Sequence, residues 1–162
     1  SLAAPSFRDS LIRNRLSSAI TDVMTAINFA RSESIKRGRT VTLCRSSNGT
    51  SCAASGGWEI GWIAFLDNDG NGAVDVGPPA DAVLKTWPAL ASGYTLTPSA
   101  AFSNDIRFNA QGFANNTGAF VACQGGNASG ALVVTTTRPR LATNGSDNTP
   151  DTDAGANFTC SP

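Results

Sequence analysis

Apolar residues recur at mostly three- and four-residue steps through the first 38 positions. Phe7, Leu11, Leu16, Ile20, Val23, Met24, Ile27 and Ala30 read as one stripe, with Ser17, Ser18, Thr21, Asp22, Thr25 and Asn28 on the other side. The pattern predicts an amphipathic helix over about residues 5–37. Pro5 suits a first helical turn, and Lys36 and Arg37 place cations in the last turn, where the helix dipole favours them. Gly38 is the natural residue to end the helix, because the position after a helix end often needs a positive φ.

Beyond Gly38 the period changes from helical spacing to alternation. Thr40–Cys44, Trp58–Leu66, Val83–Trp87, Thr95–Thr97, Ile106–Asn109, Ala119–Cys123 and Ala131–Thr137 read as strands. Trp58, Ile60 and Trp62 would share one face of the second. Ser47-Asn48-Gly49, Asn104-Asp105, Gln111-Gly112 and Gly125-Gly126 supply turn chemistry between them. Residues 142–157 are polar and poor in apolar side chains, and predict a loop. The expected fold is α+β, with one long N-terminal helix packed on antiparallel β-sheets. Residues 1–162 then form a single domain: a helix over about 5–37, a β body over about 39–141, and a C-terminal loop over about 142–162.

Composition narrows this picture. With 162 residues, 41% of them hydrophobic, the chain is long enough to build a core. Its formal charge is zero but unevenly spread. Residues 1–45 carry an excess of five positive charges and residues 46–162 an equal excess of negative ones. A neutral total argues against nucleic-acid binding over the whole surface and leaves room for a local patch. The four cysteines, at 44, 52, 123 and 160, lack the spacing of a zinc site, and there is no histidine. Disulfides in an oxidising compartment fit better. Of three possible connectivities, Cys44–Cys52 and Cys123–Cys160 are preferred because each joins neighbouring segments; the second would tether the C-terminal loop.

Catalysis finds little support. There is no histidine to act as a base, no GxSxG and no phosphate-cradling Gly-Lys-Ser/Thr motif, and no carboxylate spacing marks an acid/base pair. The stretch DNDGNGAVD places Asp67, Asp69, Asn71 and Asp75 in the order of a calcium loop, with Gly72 at the sixth position. The bidentate acid at the twelfth is missing, since Pro78 stands there. A polar hairpin turn explains the same residues through backbone geometry. Arg138-Pro139-Arg140 closes the last strand. Two guanidiniums one residue apart project to the same side of an extended chain, and Pro139 blocks continued pairing. The pair could grip phosphates, joined by Arg107 and the helix cations if these lie nearby. Charge protecting an exposed strand end explains it equally.

Several segments together resemble one family. FARSESIKRG followed by VTLC, then GWIAFLDNDGNG, then IRFNAQGF, then ALVVTTTRPR are similar to minor type IV pilins and pseudopilins of the FimU/FimT kind, related to pseudopilin H of type II secretion. The resemblance covers nearly the whole chain, and the helix end with its following strand carries it best. It implies a ladle shape, a structural role without a cofactor, and partnership with other minor pilins and the major pilin through helix packing. It also implies residence in the inner membrane facing the periplasm before assembly and in the extracellular pilus afterwards. Members of this kind help prime pilus assembly at or near the tip, in support of twitching motility and attachment. The opening AAPSF resembles the point where such proteins leave their hydrophobic N-terminal helix half, so the membrane-anchoring part would precede these residues. Some relatives instead bind DNA through a Gly-Arg-x-Arg segment; Thr137-Arg138-Pro139-Arg140 keeps both arginines but not the glycine. Because the helical stripe begins before a β body of this size could cover it, Phe7 and Leu11 are expected to stay exposed for packing in a filament.

Overall fold

The structure, a computed structural model, describes residues 3–125, 127–135, 137, 139–142 and 160. Helix α1 spans Ala3–Arg37. It ends as its sequence requires: Gly38 has φ 61°, its N–H donates to Ile35 O and that of Arg39 to Ser34 O. This pair of bonds satisfies two carbonyls that the last turn leaves open. Arg37 donates to Glu33 at 2.7 Å, with Lys36 3.7 Å from the same carboxylate. The Arg37 bond outweighs burial and holds the Glu33 carboxyl below the usual carboxylate range. That contribution to stability is present above the unfolded-state pKa and is lost as pH falls through the lowered one.

Two antiparallel sheets follow. The first contains β1 (Val41–Arg45), β2 (Trp62–Leu66), β3 (Ala82–Trp87) and β5 (Asp105–Phe108), in the order β3-β2-β1-β5. The second contains β4 (Tyr94–Pro98), β6 (Gly118–Gln124), β7 (Asn127–Val134) and β8 (Pro139–Leu141), in the order β4-β6-β7-β8. The helix packs on β1, β2 and β5 of the first sheet and on β6, β7 and β8 of the second. Its buried residues Leu16, Ala19, Ile20, Val23, Ala26, Ile27 and Ala30 belong to one core with Leu43, Trp58, Trp62, Phe102, Ile106, Phe108 and Phe120. Trp58 meets Phe120 edge-on at 5.0 Å, and Phe102 stacks on Phe120 at 5.8 Å. These aromatics join the segment before β2 to the second sheet. The Trp58 indole N–H donates to Phe102 O at 3.1 Å, so its burial leaves no donor unmade.

Two strands differ from the sequence reading. Trp58–Leu66 is not one strand: Trp58–Ile60 forms a 3₁₀ turn, and β2 starts at Trp62. Gly61 makes the break. Its φ is 104°, and a Cβ there would lie 2.8 Å from Trp87 O and 2.9 Å from Ser46 O. Only glycine allows that backbone and that approach, so Trp58, Ile60 and Trp62 do not share a strand face. Nor does Pro139 end the pairing. β7 stops at Val134, and β8 returns beside it, pairing Val134 with Pro139 and Val133 with Arg140. A proline fits there because β8 is the last strand of its sheet among the described residues. Residues 143–159, most of the expected C-terminal loop, lie outside the described residues.

Buried polar groups tie loops to this frame. Cys44 is bonded to Cys52 and Cys123 to Cys160. Arg45, 7% exposed, donates to the carbonyls of Ala53, Ala54 and Ser103 and to Asn104 Oδ1. Asp67, 1% exposed, accepts from the N–H groups of Gly70, Asn71 and Gly72 and from the Thr42 hydroxyl. Replacing Cys44 and Cys52 together by Ser should lower stability by about 2.6 kcal/mol on the chain-entropy account. A denaturant titration checks this, and an unmoved midpoint refutes it. Asp67→Ala leaves the Gly70 and Gly72 N–H groups and the Thr42 hydroxyl without their acceptor and should cost about 3 kcal/mol in the same titration, whereas a loss below about 1 kcal/mol would show that the loop does not depend on this carboxylate.

Candidate functional site

The site is built from what the β body fails to cover. From Leu16 onward α1 lies against both sheets; before it, Phe7 is 68% and Leu11 46% exposed. The two are not an extension of the buried stripe, as the sequence suggested. The step from Leu11 to Leu16 is five residues, which turns roughly 140° around a helix. Half-buried Ile12, not Leu11, continues the core-facing side. Phe7 and Leu11 instead start a second face that continues through Arg15, Ser18 and Asp22 at steps of four, four, three and four. All five are exposed.

That second face runs into a groove of about 250 Å³. Arg15, Ser18, Ala19 and Asp22 form its helical wall. Trp62 and Trp87 line it, their rings stacked at 6.3 Å with planes 18° apart. The connector between β3 and β4, residues 88–91, and Tyr94 complete it. Arg15 lies over the Tyr94 ring at 5.9 Å. Phe29 meets Trp87 edge-on at 5.9 Å, with Lys85 over both rings. The space exists because Ala19, Ala89 and Ala91 are small. Trp62 is 1% exposed, and its indole N–H has no acceptor among the described residues. Sequence reasoning missed this groove. Its walls come from positions 15–22 and 62–94, and no periodicity marks a space formed between such distant segments.

The other candidate residues are held apart from it. In the DNDGNG loop, Asp67 is occupied by the donors described above, and the Asn71 side-chain amide donates to both Asp69 and Asp75. The Asp81 carboxylate accepts from the N–H groups of Asn68 and Asp75. The acids thus face protein donors and hold a long hairpin loop between β2 and β3. Among the described residues, no cluster of three or more Cys, Asp or Glu side chains is placed to hold a metal ion.

Arg140 lies on edge strand β8, while Arg138 is outside the described residues. Arg107, expected to join them, donates to Asp105 at 2.6 Å and to Gly70 O at 2.7 Å. Asp105 holds the Arg107 guanidinium in its charged form, raising its pKa. Arg45 is buried on backbone carbonyls. At the far end of α1, Ile35 and Phe113 are exposed beside Gly112, where a Cβ would lie 2.6 Å from Ile35 Cδ1. No helix among the described residues is long and apolar enough to cross a membrane.

Comparison with known proteins agrees with this architecture. Two crystal structures of the type IV minor pilin FimU from Pseudomonas aeruginosa superpose on the chain. One has a TM-score of 0.62 at 20% identity, covering 81% of this chain and 90% of that one. The other has a TM-score of 0.58 at 19% identity, covering 79% and 93%. At such identity the likeness is one of fold. A comparison with curated proteins finds no match. The sequence model of the family described as Type II transport protein GspH matches residues 19–138, which run from the buried half of α1 to the position before β8. A helix stapled to two antiparallel sheets, matched across that span, makes this chain a member of the GspH family of pseudopilins and minor pilins.

Proposed function

We propose that this chain is a minor pilin that helps prime assembly of a type IV pilus and enters the filament at or near its tip, with a structural rather than a catalytic role. In this reading it waits in the inner membrane with its β body in the periplasm, held by an apolar helix segment preceding these residues. It then joins other minor pilins and the major pilin by helix packing and becomes part of the extracellular filament. Twitching motility and attachment depend on the filament it helps to start.

The observation that carries the reading is the exposed Phe7 and Leu11 on a helix that outruns its β body. Leaving two large apolar side chains in water forgoes about 1.5–3 kcal/mol each, which a neighbouring helix would recover. The resemblance in fold to a minor pilin and the membership of the pseudopilin family support the same reading.

Deletion of the gene should reduce surface pili and twitching. Complementation with the wild-type gene should restore them, and complementation with Phe7→Glu/Leu11→Glu should not, although the purified double variant melts within a few degrees of wild type. Normal piliation of the deletion strain would defeat the proposal. Loss of type II secretion with pili intact would move the chain to a secretion apparatus, and rescue by the double variant would remove the packing face.

A further inference from the structure

The capped end of α1 carries exposed apolar side chains of its own. We propose that Arg31, Ile35 and Phe113 form a second docking surface, filled by a different pilin that sets a carboxylate against Arg31 and an apolar side chain against Ile35 and Phe113. The inference rests on the reading of this chain as a minor subunit among other pilins, and it adds a contact that Phe7 and Leu11 do not make.

The surface is preformed. Residues 109–113 make a tight turn against the end of α1. The Asn109 side-chain oxygen accepts from the N–H groups of Gln111 and Phe113 at 3.0 and 2.9 Å, and the Gly112 N–H donates to Asn109 O at 2.8 Å. Gly112 has φ 79°, and a Cβ there would lie 2.6 Å from Ile35 Cδ1 and 3.2 Å from Arg31 Cγ. Glycine lets the turn close on the helix, which brings Phe113 to the side of α1 that carries Arg31 and Ile35. Ile35 is 52% and Phe113 47% exposed. A surface held in place before binding loses little freedom when it binds, and an aromatic ring beside an arginine is a composition that carries energy at interfaces.

Charge names the partner. The Arg31 guanidinium has no acceptor and no ion pair among the described residues, and its Nε is buried without one. Its terminal nitrogens are the part a neighbour can reach. The charges around it are already engaged. Glu33 holds Lys36 and Arg37, Arg39 donates to Asn68, and Arg107 is paired with Asp105. In the 67–81 loop, Asp67, Asp69, Asp75 and Asp81 accept from loop donors. Residues 109–113 carry no charge. An unmet guanidinium beside two apolar groups fits a carboxylate set in an apolar surface. A nucleic-acid strand instead asks for a row of free cations, and this patch offers one among the described residues.

Geometry makes this a separate contact. Ile35 lies 24 residues beyond Leu11, about 36 Å along the axis and roughly 240° around it. One helix lying beside α1 does not cover both, so the two surfaces take two neighbours. The same distance keeps Arg31 clear of a membrane entered from the start of the helix. Subunits held side by side in a membrane or a filament gain the effective concentration that lets so small a patch bind.

Photo-crosslinking in cells tests the partner and its chemistry. A photoreactive benzophenone amino acid replaces Gln111, an exposed residue of the turn, in the full-length protein expressed in the deletion strain. After irradiation, peptide mapping should place the link in a different pilin, next to an Asp or Glu. Arg31→Glu should cut the product to about a tenth, as loss of one anchoring residue does. Changing the partner's acid to Arg should restore the product in that strain. Phe113→Ser, which leaves the helix untouched, should cut it likewise. The purified variants should melt within a few degrees of wild type, and the Phe113→Ser arm decides if Arg31→Glu does not. No product above the dark control, a link to a second copy of this chain or to nucleic acid, or a product unchanged by both substitutions overturns the proposal. Such a failure alongside loss of piliation in Phe7→Glu/Leu11→Glu rejects this surface alone, whereas normal piliation of the deletion strain rejects the minor-pilin reading beneath it.

Discussion

A mismatch in length governs this molecule. Thirty-five residues of α1 extend about 52 Å, whereas the strands that cover it have three to eight residues. The apolar face from Leu16 to Ala30 drives the helix onto both sheets, and it can do so only where sheets exist. From Phe7 to Leu11 every side chain is exposed, and this part of the helix is an overhang. It stays helical because helix extends readily from a formed turn, whereas a short isolated segment would not form one. The far end is fixed by the carbonyl-capping bonds around Gly38. One end is thus capped, and the other presents exposed apolar side chains.

The β body holds that arrangement through polar groups as much as apolar ones. β1 is a central strand with every residue buried, including Thr42 and Arg45. Each polar side chain there is satisfied by a loop. Thr42 donates to Asp67, which gathers the 67–72 turn. Arg45 gathers the segment after Cys52 and the turn before β5. Loops that would otherwise cost entropy to order are fastened to the strand that the helix covers. The DNDGNG segment takes part in this fastening: its acids and amides bond one another and the loop backbone.

The overhang and the groove share one helix face. Phe7, Leu11, Arg15, Ser18 and Asp22 follow one another along α1, and the last three wall the groove. The aromatic residues near the groove are held by one another and by Lys85, which presents a preformed surface.

Much of the fold was legible in local chemistry. The three- and four-residue apolar steps, the cationic last turn and Gly38 marked α1 to within two residues, and alternation located the strands to within a few. Where the reading slipped, long-range contact was the cause. Gly61 breaks Trp58–Leu66 because two backbone carbonyls, from Ser46 and Trp87, press against it. Pro139 starts β8 because the edge of the second sheet has room for a residue without an N–H. The helix stripe looked continuous because apolar spacing counts residues and not the surface each one meets; the five-residue step at Leu16 matters only once the sheets choose a side. Residue type and spacing therefore sufficed for α1 and for the existence of most strands, since these depend on neighbours a few positions away. The order of strands, the side of α1 that was buried and the groove were decided by packing between segments tens of residues apart, which no local pattern records.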